Sequence, residues 1–351
     1  MKKFAGFLIL LIVGALLSCP KPTSSPSKAW VVSTFAGSGT RGSENGVGVS
    51  AQFSSPTDVA LDSSGNLYVT DYGNHRIRKI TPKGVVSTFA GGGETPQFSN
   101  PYGVAVDSLD NVYVADKGNH RIRKITSGGS VSTLAGGGTE DPRLHFRDGD
   151  GTFARFNIPY GVAVDASGKV YVADSSNHRI RKITSGGSVS TLAGSGTIDD
   201  RGTKGGAFKD GPGATARFNL PIDVALDSSG NVYVADLQTH RIRKITSEGG
   251  RVRVDTLAGS TRGYRDGPGG EALFNYPVGV AVDAAGNVYV ADNNHRIRMI
   301  TPEGVVSTIA GGGNERKGSF RDGVGASGFQ LESRRGRPRA GTHTEQRFPS
   351  R

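Results

Sequence analysis

Short runs of alternating hydrophobic and polar residues cover most of the chain, and turn residues separate them. In residues 159–194 the runs are GVAVD, VYVAD, RIRKI and VSTLAG, and the breaks between them contain Gly, Ser or Asn. Runs of this length that are rich in Val, Ile, Thr and Tyr are typical of β-strands, and nothing in the segment has helical periodicity. The pattern therefore predicts four short strands.

One four-strand pattern is repeated along the chain. A repeated unit of four strands predicts a stack of small sheets, and such sheets are typical of β-propeller blades. Because blades bury their faces only against each other, we expect one all-β domain over residues 31–327. The five copies begin at Pro56, Pro101, Pro159, Pro221 and Pro277.

The motifs inside this unit are P-x-G-V-A-V-D, V-Y-V-A-D and N-H-R-I-R-K-I, and together they resemble the NHL repeat. The resemblance covers about residues 31–311 and implies a β-propeller. It implies no single activity, since NHL-like propellers include protein-binding, RNA-binding and enzymatic members. The Asn-His-Arg stretch begins at Asn74, Asn119, Asn177 and Asn294, whereas the fourth copy has Thr239 before His240.

A segment without a blade in front of it begins the predicted propeller. The sequence VVSTFAG at residues 31–37 matches the fourth strand of the repeat. An extra last strand at the start of a propeller is expected to pair with the other strands of the final blade, which removes free sheet edges. Five complete repeats plus this strand predict a six-bladed design with a truncated last blade.

A second motif links the repeats, and it marks where the pattern ends. FRDGDGTFARFNIP at residues 146–159 recurs before Pro221 and Pro277 and more loosely before Pro56, while the copy that starts at Phe320 stops matching after Ser327. Residues 328–351 are basic, without strand alternation, so we predict disorder there or a frameshift or sequencing error. The alternative is a genuine basic tail on a five-bladed or open ring.

The net charge of +11 lies mostly at the ends of the chain. Residues 1–28 contain four lysines and no acid, and residues 328–351 contain six arginines and two glutamates. The predicted propeller is therefore nearly balanced in charge, which disfavours nucleic acid as a partner.

Residues 1–18 combine Lys2 and Lys3 with an apolar run that is too short to cross a membrane as a helix, which is typical of a signal peptide. The end of this run, LLSC at residues 16–19, resembles a bacterial lipobox. The resemblance implies that Cys19 becomes lipidated and anchors the protein to the membrane. An ordinary signal peptide with an incidental cysteine is the alternative.

Two further observations bear on the anchor. Cys19 is the only cysteine of the chain, so it cannot form an internal disulfide. Pro20 follows it, so the Asp that signals inner-membrane retention in some bacteria is absent, which favours the outer membrane or the cell surface. Residues 19–30 are rich in Pro and Ser and are predicted to form a flexible tether.

The repeated histidines are candidates for metal or acid–base chemistry. Because each repeat places the same histidine at the same position, we predict instead a structural role, in which each one hydrogen-bonds the turn between the second and third strands. The aspartates that close the first two strands are predicted to accept turn hydrogen bonds or to pair with arginines between blades. The alternative is that the basic residues of the third strands form a ring of positive charge that binds phosphate. Asp148 and Asp150 resemble part of a calcium loop, but calcium or zinc is a weak alternative to no cofactor.

The variable loops are expected to read a ligand. The turns between second and third strands and the links between blades share one face, called here the loop-bearing face, and propellers generally bind there. The predicted binding residues are Tyr72, Asn74, His75, Lys117, Asn119, His120, Arg143, His145, Asn177, His178, Asp199, Arg201, His240, Arg262 and His295.

The sequence thus predicts a non-enzymatic binding scaffold of the cell envelope, with an unidentified protein or envelope ligand as partner. One alternative is a metal-dependent propeller enzyme of the lyase or lactonase type. Such an enzyme would need unlike His, Asp, Glu or Tyr residues on the channel-facing first strands, and we expect no such set there. The other alternative is a ligand-sensing ectodomain that works through a partner.

Overall fold

The computed structural model describes residues 30–93, 97–137, 146–196, 208–312 and 323–324. These residues form five antiparallel sheets, one for each repeat, and a separate two-stranded sheet. The predicted all-β propeller is therefore confirmed. The predicted signal peptide, most of the tether and the tail at 328–351 lie outside the described residues.

The blades are numbered by repeat, and their four main strands are called first to fourth in chain order. The first strands are Pro56–Leu61, Pro101–Val106, Pro159–Val164, Pro221–Leu226 and Pro277–Val282. The second strands are Leu67–Asp71, Val112–Asp116, Val170–Asp174, Val232–Asp236 and Val288–Asp292. The third strands are Arg76–Ile80, Arg121–Ile125, Arg179–Ile183, Arg241–Glu248 and Arg296–Ile300. The fourth strands are Val85–Gly91, Val131–Gly136, Ser188–Ala193, Arg251–Ala258 and Val305–Gly311.

The second strand is the most deeply buried element of each blade. All five of its residues are buried in blades 1 to 4, and its sequence alternates little between polar and apolar residues. A strand that is covered on both faces reads as a nearly continuous apolar run. In blades 2 to 4 the neighbouring blades cover this strand from both sides, and in blade 1 Phe35, Ala36 and Phe53 cover one side.

Most blades gain a short fifth strand from the link motif. It pairs antiparallel with the outside of the fourth strand, and in blade 1 Gly46 lies opposite Val86 and Val47 opposite Val85. Pairing there shortens the free edge of the sheet. These link strands are Gly46–Val47, Gly149–Asp150, Gly211–Pro212 and Gly267–Pro268.

The N-terminal strand differs from the prediction. Within VVSTFAG only Val31–Val32 forms a strand, and its partner is Gly323–Val324 rather than the main strands of a final blade. Val32 lies opposite Gly323 as Val86 lies opposite Gly46, so the pair reproduces only the outer two strands of a blade. The predicted six-bladed design is thus corrected to five blades, because the described residues contain no inner strands to join this pair.

The hydrophobic core lies between consecutive blades. In one interface Ala115 and Ile122 of blade 2 pack against Val170, Val172 and Ile183 of blade 3, and all five side chains are buried. Burying one such aliphatic side chain contributes about 1.5–3 kcal/mol. Similar clusters join blades 1 and 2, blades 3 and 4, and blades 4 and 5.

The first strands meet at the centre of the molecule. The first strands of blades 1 to 5 lie side by side in chain order, so they line the central channel. At this centre the backbones approach so closely that a Cβ atom on Gly161 would lie 2.6 Å from the Cα atom of Asp223. A side chain larger than glycine does not fit at that position without movement of the strand.

Candidate functional site

A buried ion pair joins the second and third strands of every blade. Arg78 contacts Asp71 at 3.0 Å, and Arg181 contacts Asp174 at 2.7 Å, with all four side chains fully buried. The predicted structural Arg–Asp pairs are confirmed, although they lie within blades and not between them. The equivalent pairs are Arg123–Asp116, Arg243–Asp236 and Arg298–Asp292.

In three blades the link motif supplies a second carboxylate to the same arginine. Asp148 binds Arg181, and Asp210 and Asp266 bind Arg243 and Arg298. The calcium-loop resemblance at Asp148 therefore falls on a carboxylate that already has a cationic partner. Four of these arginines are fully buried, so they do not form the exposed basic ring that was the alternative for phosphate.

The repeated histidines connect blades. In blades 1 to 4 the Nδ1 atom of the histidine accepts the backbone N–H of the residue that precedes the first strand of the next blade. The predicted structural role is confirmed, but the acceptor serves the neighbouring blade rather than its own turn. The pairs are His75–Asn100, His120–Ile158, His178–Leu220 and His240–Tyr276.

The turn residues beside these histidines are also occupied. The Nδ2 atoms of Asn74, Asn119 and Asn177 donate to the aspartates that close the second strands. Thr239, which replaces the asparagine in blade 4, donates its hydroxyl to the carbonyl oxygen of Asp236. These contacts hold the turns in place. The residues between the aspartate and the asparagine or threonine of each turn are therefore free to differ between blades.

The aspartates after the first strands close tight turns. In blade 4, Asp227 accepts hydrogen bonds from the backbone and side chain of Asn231 and from the hydroxyl of Tyr233. Burial acts to raise the pKa of this carboxyl, but these hydrogen bonds outweigh it and hold the pKa below its usual range. The pKa is lowered in the same way at Asp62, Asp107, Asp165 and Asp283.

Four side chains from three blades gather at one mouth of the channel, on the loop-bearing face. Tyr72 and Lys117 occupy the turns after the second strands, and Tyr102 and Tyr160 are the second residues of first strands. The ring centroids of Tyr102 and Tyr160 are 4.5 Å apart, and those of Tyr72 and Tyr102 are 6.3 Å apart. The Nζ atom of Lys117 lies 4.4 Å from the Tyr160 centroid. We call these four residues the mouth cluster.

The mouth cluster breaks the symmetry of the repeats. The first-strand position of Tyr102 and Tyr160 holds Thr57, Ile222 and Val278 in the other blades. Because the fold does not require tyrosine at this position, the cluster is a local feature of blades 1 to 3.

Two carboxyl groups lie in the channel close to the mouth cluster. Asp58 and Asp223 are the third residues of their first strands, where blades 2, 3 and 5 have glycine. Both are partly buried. Asp58 accepts the N–H groups of Val59 and Val104, while Asp223 accepts those of Val224 and Val280. Each carboxyl therefore bridges two neighbouring blades. We call them the channel carboxyl pair.

The channel carboxyl pair is electrostatically strained. Burial raises the pKa of Asp58 to about 7, against the lowering effect of its two backbone hydrogen bonds. Burial, and then the nearby charge of Asp58, raises the pKa of Asp223 well above its usual value. The same two carboxyl charges act on the hydroxyl of Tyr102, whose pKa is raised chiefly by burial. The pair and the mouth cluster are therefore one continuous site.

We expected the channel-facing first strands to carry no set of different polar residues, such as Asp together with Tyr, and this expectation is wrong. Asp58, Asp223, Tyr102 and Tyr160 all lie on first strands. The signal was present in the sequence, since two repeats read DVAL where three read GVAV. Among the described residues, however, no three His, Cys, Asp or Glu side chains are placed to hold a metal ion.

Comparison with known proteins agrees with this architecture. The sequence model of the Teneurin NHL domain matches residues 30–204, and that of the NHL repeat matches residues 218–245 and 274–298. The chain is an NHL-repeat β-propeller protein. Its matched residues include all five blades in whole or in part.

The curated relatives match only part of the chain. The chain is 33% identical over 150 residues to Protein SUPPRESSOR OF QUENCHING 1 of Arabidopsis thaliana, which covers 41% of the chain and 14% of that protein. It is 30% identical over 157 residues to human NHL repeat-containing protein 2, covering 43% of the chain and 22% of the relative. The chain thus spans less than a quarter of the length of either relative.

Solved structures share the propeller fold. An auxiliary nutrient binding protein from Bacteroides thetaiotaomicron superposes with a TM-score of 0.61 at 18% identity, covering 84% of this chain and 68% of that one. A gluconolactonase from Xanthomonas campestris gives a TM-score of 0.53 at 14% identity, covering 73% and 76%. At such identities the likeness concerns the fold alone, and it spans binding proteins and enzymes.

The remaining predicted binding residues of the NHL propeller fall into two groups. Arg262 lies on the described surface, where its Nε atom donates to Asn275 and its guanidinium lies 5.2 Å from the Tyr276 centroid. His295 is exposed in blade 5. Arg143, His145, Asp199 and Arg201 lie outside the described residues. No helix among the described residues is long and apolar enough to span a membrane.

Proposed function

We propose that this protein is a non-enzymatic binding scaffold of the cell envelope that recognises a protein or another ligand through the loop-bearing face of its propeller. The mouth cluster carries this proposal. Three tyrosines and a lysine from different blades converge where the fold itself does not require them. Aromatic side chains grouped with few polar groups are typical of binding sites, since they offer large contact areas with little loss of conformational freedom.

The envelope location rests on the sequence. A signal peptide followed by the lipobox-like Cys19 favours a protein that is exported and then anchored through lipid to the outer membrane or the cell surface. The Pro- and Ser-rich tether would hold the propeller away from the membrane. Substitution of Cys19 by Ser is expected to release the protein from the membrane fraction and to abolish incorporation of labelled fatty acid.

Crosslinking in intact envelopes tests the binding role. The full-length protein, crosslinked and analysed by mass spectrometry, should capture a defined partner, and Tyr102→Ala with Tyr160→Ala should abolish the capture. Phe153→Ala is the matched control, because Phe153 is an exposed aromatic residue in the link before blade 3. Equal capture by all variants would contradict the proposal.

The channel carboxyl pair favours a second candidate, which is an enzyme of the metal-dependent lyase or lactonase type. Buried carboxyl groups with raised pKa values are frequent in catalytic sites. Their four backbone hydrogen bonds offer a structural explanation, however, because each carboxyl joins two blades. Stoichiometric, tightly bound calcium or zinc in the purified protein, lost in Asp58→Gly, would favour the enzyme over the scaffold.

A further inference from the structure

We propose that the mouth cluster binds an ammonium group of the ligand, such as a lysine side chain or an N-terminus of a partner protein, at the place occupied by the ammonium of Lys117. The inference rests on the proposed binding function and adds the chemical class of the ligand. Three observations carry it: the geometry of the rings, the situation of Lys117, and the channel carboxyl pair.

The tyrosine rings are arranged around one positive charge. The Nζ atom of Lys117 lies 4.4 Å from the Tyr160 centroid, 5.3 Å from that of Tyr72 and 5.6 Å from that of Tyr102. A cation within about 6 Å of a ring face is attracted by the electron density of the ring. One position thus lies within this range of three rings from three blades, which is the arrangement that favours a cation.

Lys117 itself is a replaceable occupant. Among the described residues it forms no ion pair, whereas each buried arginine of a third strand is paired with an aspartate. Its side chain is partly exposed, and the equivalent turn position holds Ser175 in blade 3 and Leu237 in blade 4. A lysine on a flexible four-carbon stem can leave the rings when another ammonium arrives.

The channel carboxyl pair selects the sign of the ligand charge. Asp58 and Asp223 are partly buried, neither forms an ion pair among the described residues, and both are close enough to raise the pKa of the Tyr102 hydroxyl. A positive group at the mouth would therefore favour the ionised form of these two carboxyl groups, whose pKa values burial now raises. An anionic ligand would meet the opposite field, although Lys117 could contact it.

Titration with three ligands of equal length tests the charge preference. We would measure the binding of butylammonium, 1-butanol and butyrate to the detergent-solubilised full-length protein by saturation-transfer NMR. Butylammonium is expected to bind about tenfold more tightly than 1-butanol, and butyrate more weakly than either. Lys117→Met should strengthen butylammonium binding several-fold, because it removes the ammonium of the internal competitor and keeps an unbranched side chain that is one atom shorter. Tyr160→Ala should weaken it.

Several results would overturn the inference. One is equal binding of 1-butanol and butylammonium, and another is a preference for butyrate that Lys117→Met abolishes, which would indicate an anion site. Unchanged butylammonium affinity in Lys117→Met would also contradict it. Circular dichroism of each variant would separate loss of binding from loss of fold.

The partner experiment separates this inference from the binding function. Acetylation of envelope protein amines before crosslinking is expected to abolish capture of the partner through a lysine or an N-terminus. If acetylation leaves capture intact while Tyr160→Ala still abolishes it, the binding function stands and the ammonium is wrong. Butylammonium binding without any partner that depends on Tyr160 would instead indicate a free small amine as the ligand and would contradict a protein source.

Discussion

The Nδ1 atom of His75 accepts the backbone N–H of Asn100 at 3.0 Å, so a side chain of blade 1 holds the corner from which blade 2 begins. Asn100 has a φ of 51°, in the left-handed region, and the residue before it donates its N–H to Asp116. The same corner recurs before blades 3, 4 and 5, with Ile158, Leu220 and Tyr276 in the left-handed region. The histidines therefore act as connectors between blades.

His75→Ala should lower the free energy of unfolding by about 1 kcal/mol more than His295→Ala. Both histidines are in the left-handed region, at φ values of 55° and 63°, so the backbone effect of alanine is the same in both variants. Of these two histidines, only His75 has a hydrogen bond to a following blade in the described structure. Urea denaturation measures the difference, and equal losses in the two variants would contradict the connector role.

Ile158→Asn should stabilise the protein by about 1 kcal/mol, since a β-branched residue is strained in the left-handed region where asparagine is tolerated. Ile158 has a φ of 52°, and blade 2 carries asparagine at the equivalent position. The reverse change, Asn100→Ile, should destabilise by a similar amount. Thermal unfolding of both variants checks the prediction, and a melting temperature that falls in both would contradict it.

Asp174→Asn should be far more damaging than Asp255→Asn. Asp174 is fully buried and accepts hydrogen bonds from Arg181, Asn157 and Asn177. The change leaves the buried Arg181 with the half-exposed Asp148 as its carboxylate partner, so stability should fall by about 3 kcal/mol, the lower end for breaking a buried pair. Asp255 pairs with Arg253 on the surface, where their side chains are 44% and 61% exposed, and such a pair contributes about 0–1 kcal/mol. Chemical denaturation of the two variants would reveal the contrast, and similar losses would argue against it.

The channel carboxyl pair should make stability depend on pH. Burial raises the pKa of Asp58 from 3.8 to about 7, so the folded protein holds a proton that the unfolded chain releases between these values. The free energy of unfolding should therefore fall, on the order of 3 kcal/mol, as the pH rises from about 4 to about 7. The double variant Asp58→Gly and Asp223→Gly should lose this fall, since it carries the glycine of the other blades.

The matched comparison isolates the pair, because the turn aspartates with lowered pKa values are the same in both proteins. Their contribution is present at neutral pH and is lost as the pH falls below about 4. The free energy of unfolding, measured at several pH values, should therefore change with pH differently in wild type and double variant only above about pH 4. Parallel curves up to pH 8 would show that the two carboxyls are already ionised in the folded protein.

Much of the blade could be predicted from residues that are near in sequence. The alternation in GVAVD and VYVAD, broken by Gly, Ser and Asn, predicted the four main strands, because side-chain alternation and turn chemistry are local properties. Repetition also predicted that the histidines are structural, which the bonds from His75 and His240 confirm. The number of blades was predicted wrongly, because an unpaired strand at Val31–Val32 shows that a partner is needed but not which residues supply it.

The candidate site depended on the tertiary structure. Tyr72, Tyr102 and Tyr160 belong to three repeats and look like unrelated exceptions to the pattern, and only the rotation of successive blades about the channel brings their rings together. Asp58 and Asp223 are even farther apart in the chain, yet they interact across the centre. The sequence by itself determined the strands, the turns and the connectors, since these follow from neighbouring residues and their repetition. The stacking of the blades around the channel and the grouping of the site were decided by packing between blades, which a one-dimensional pattern does not contain.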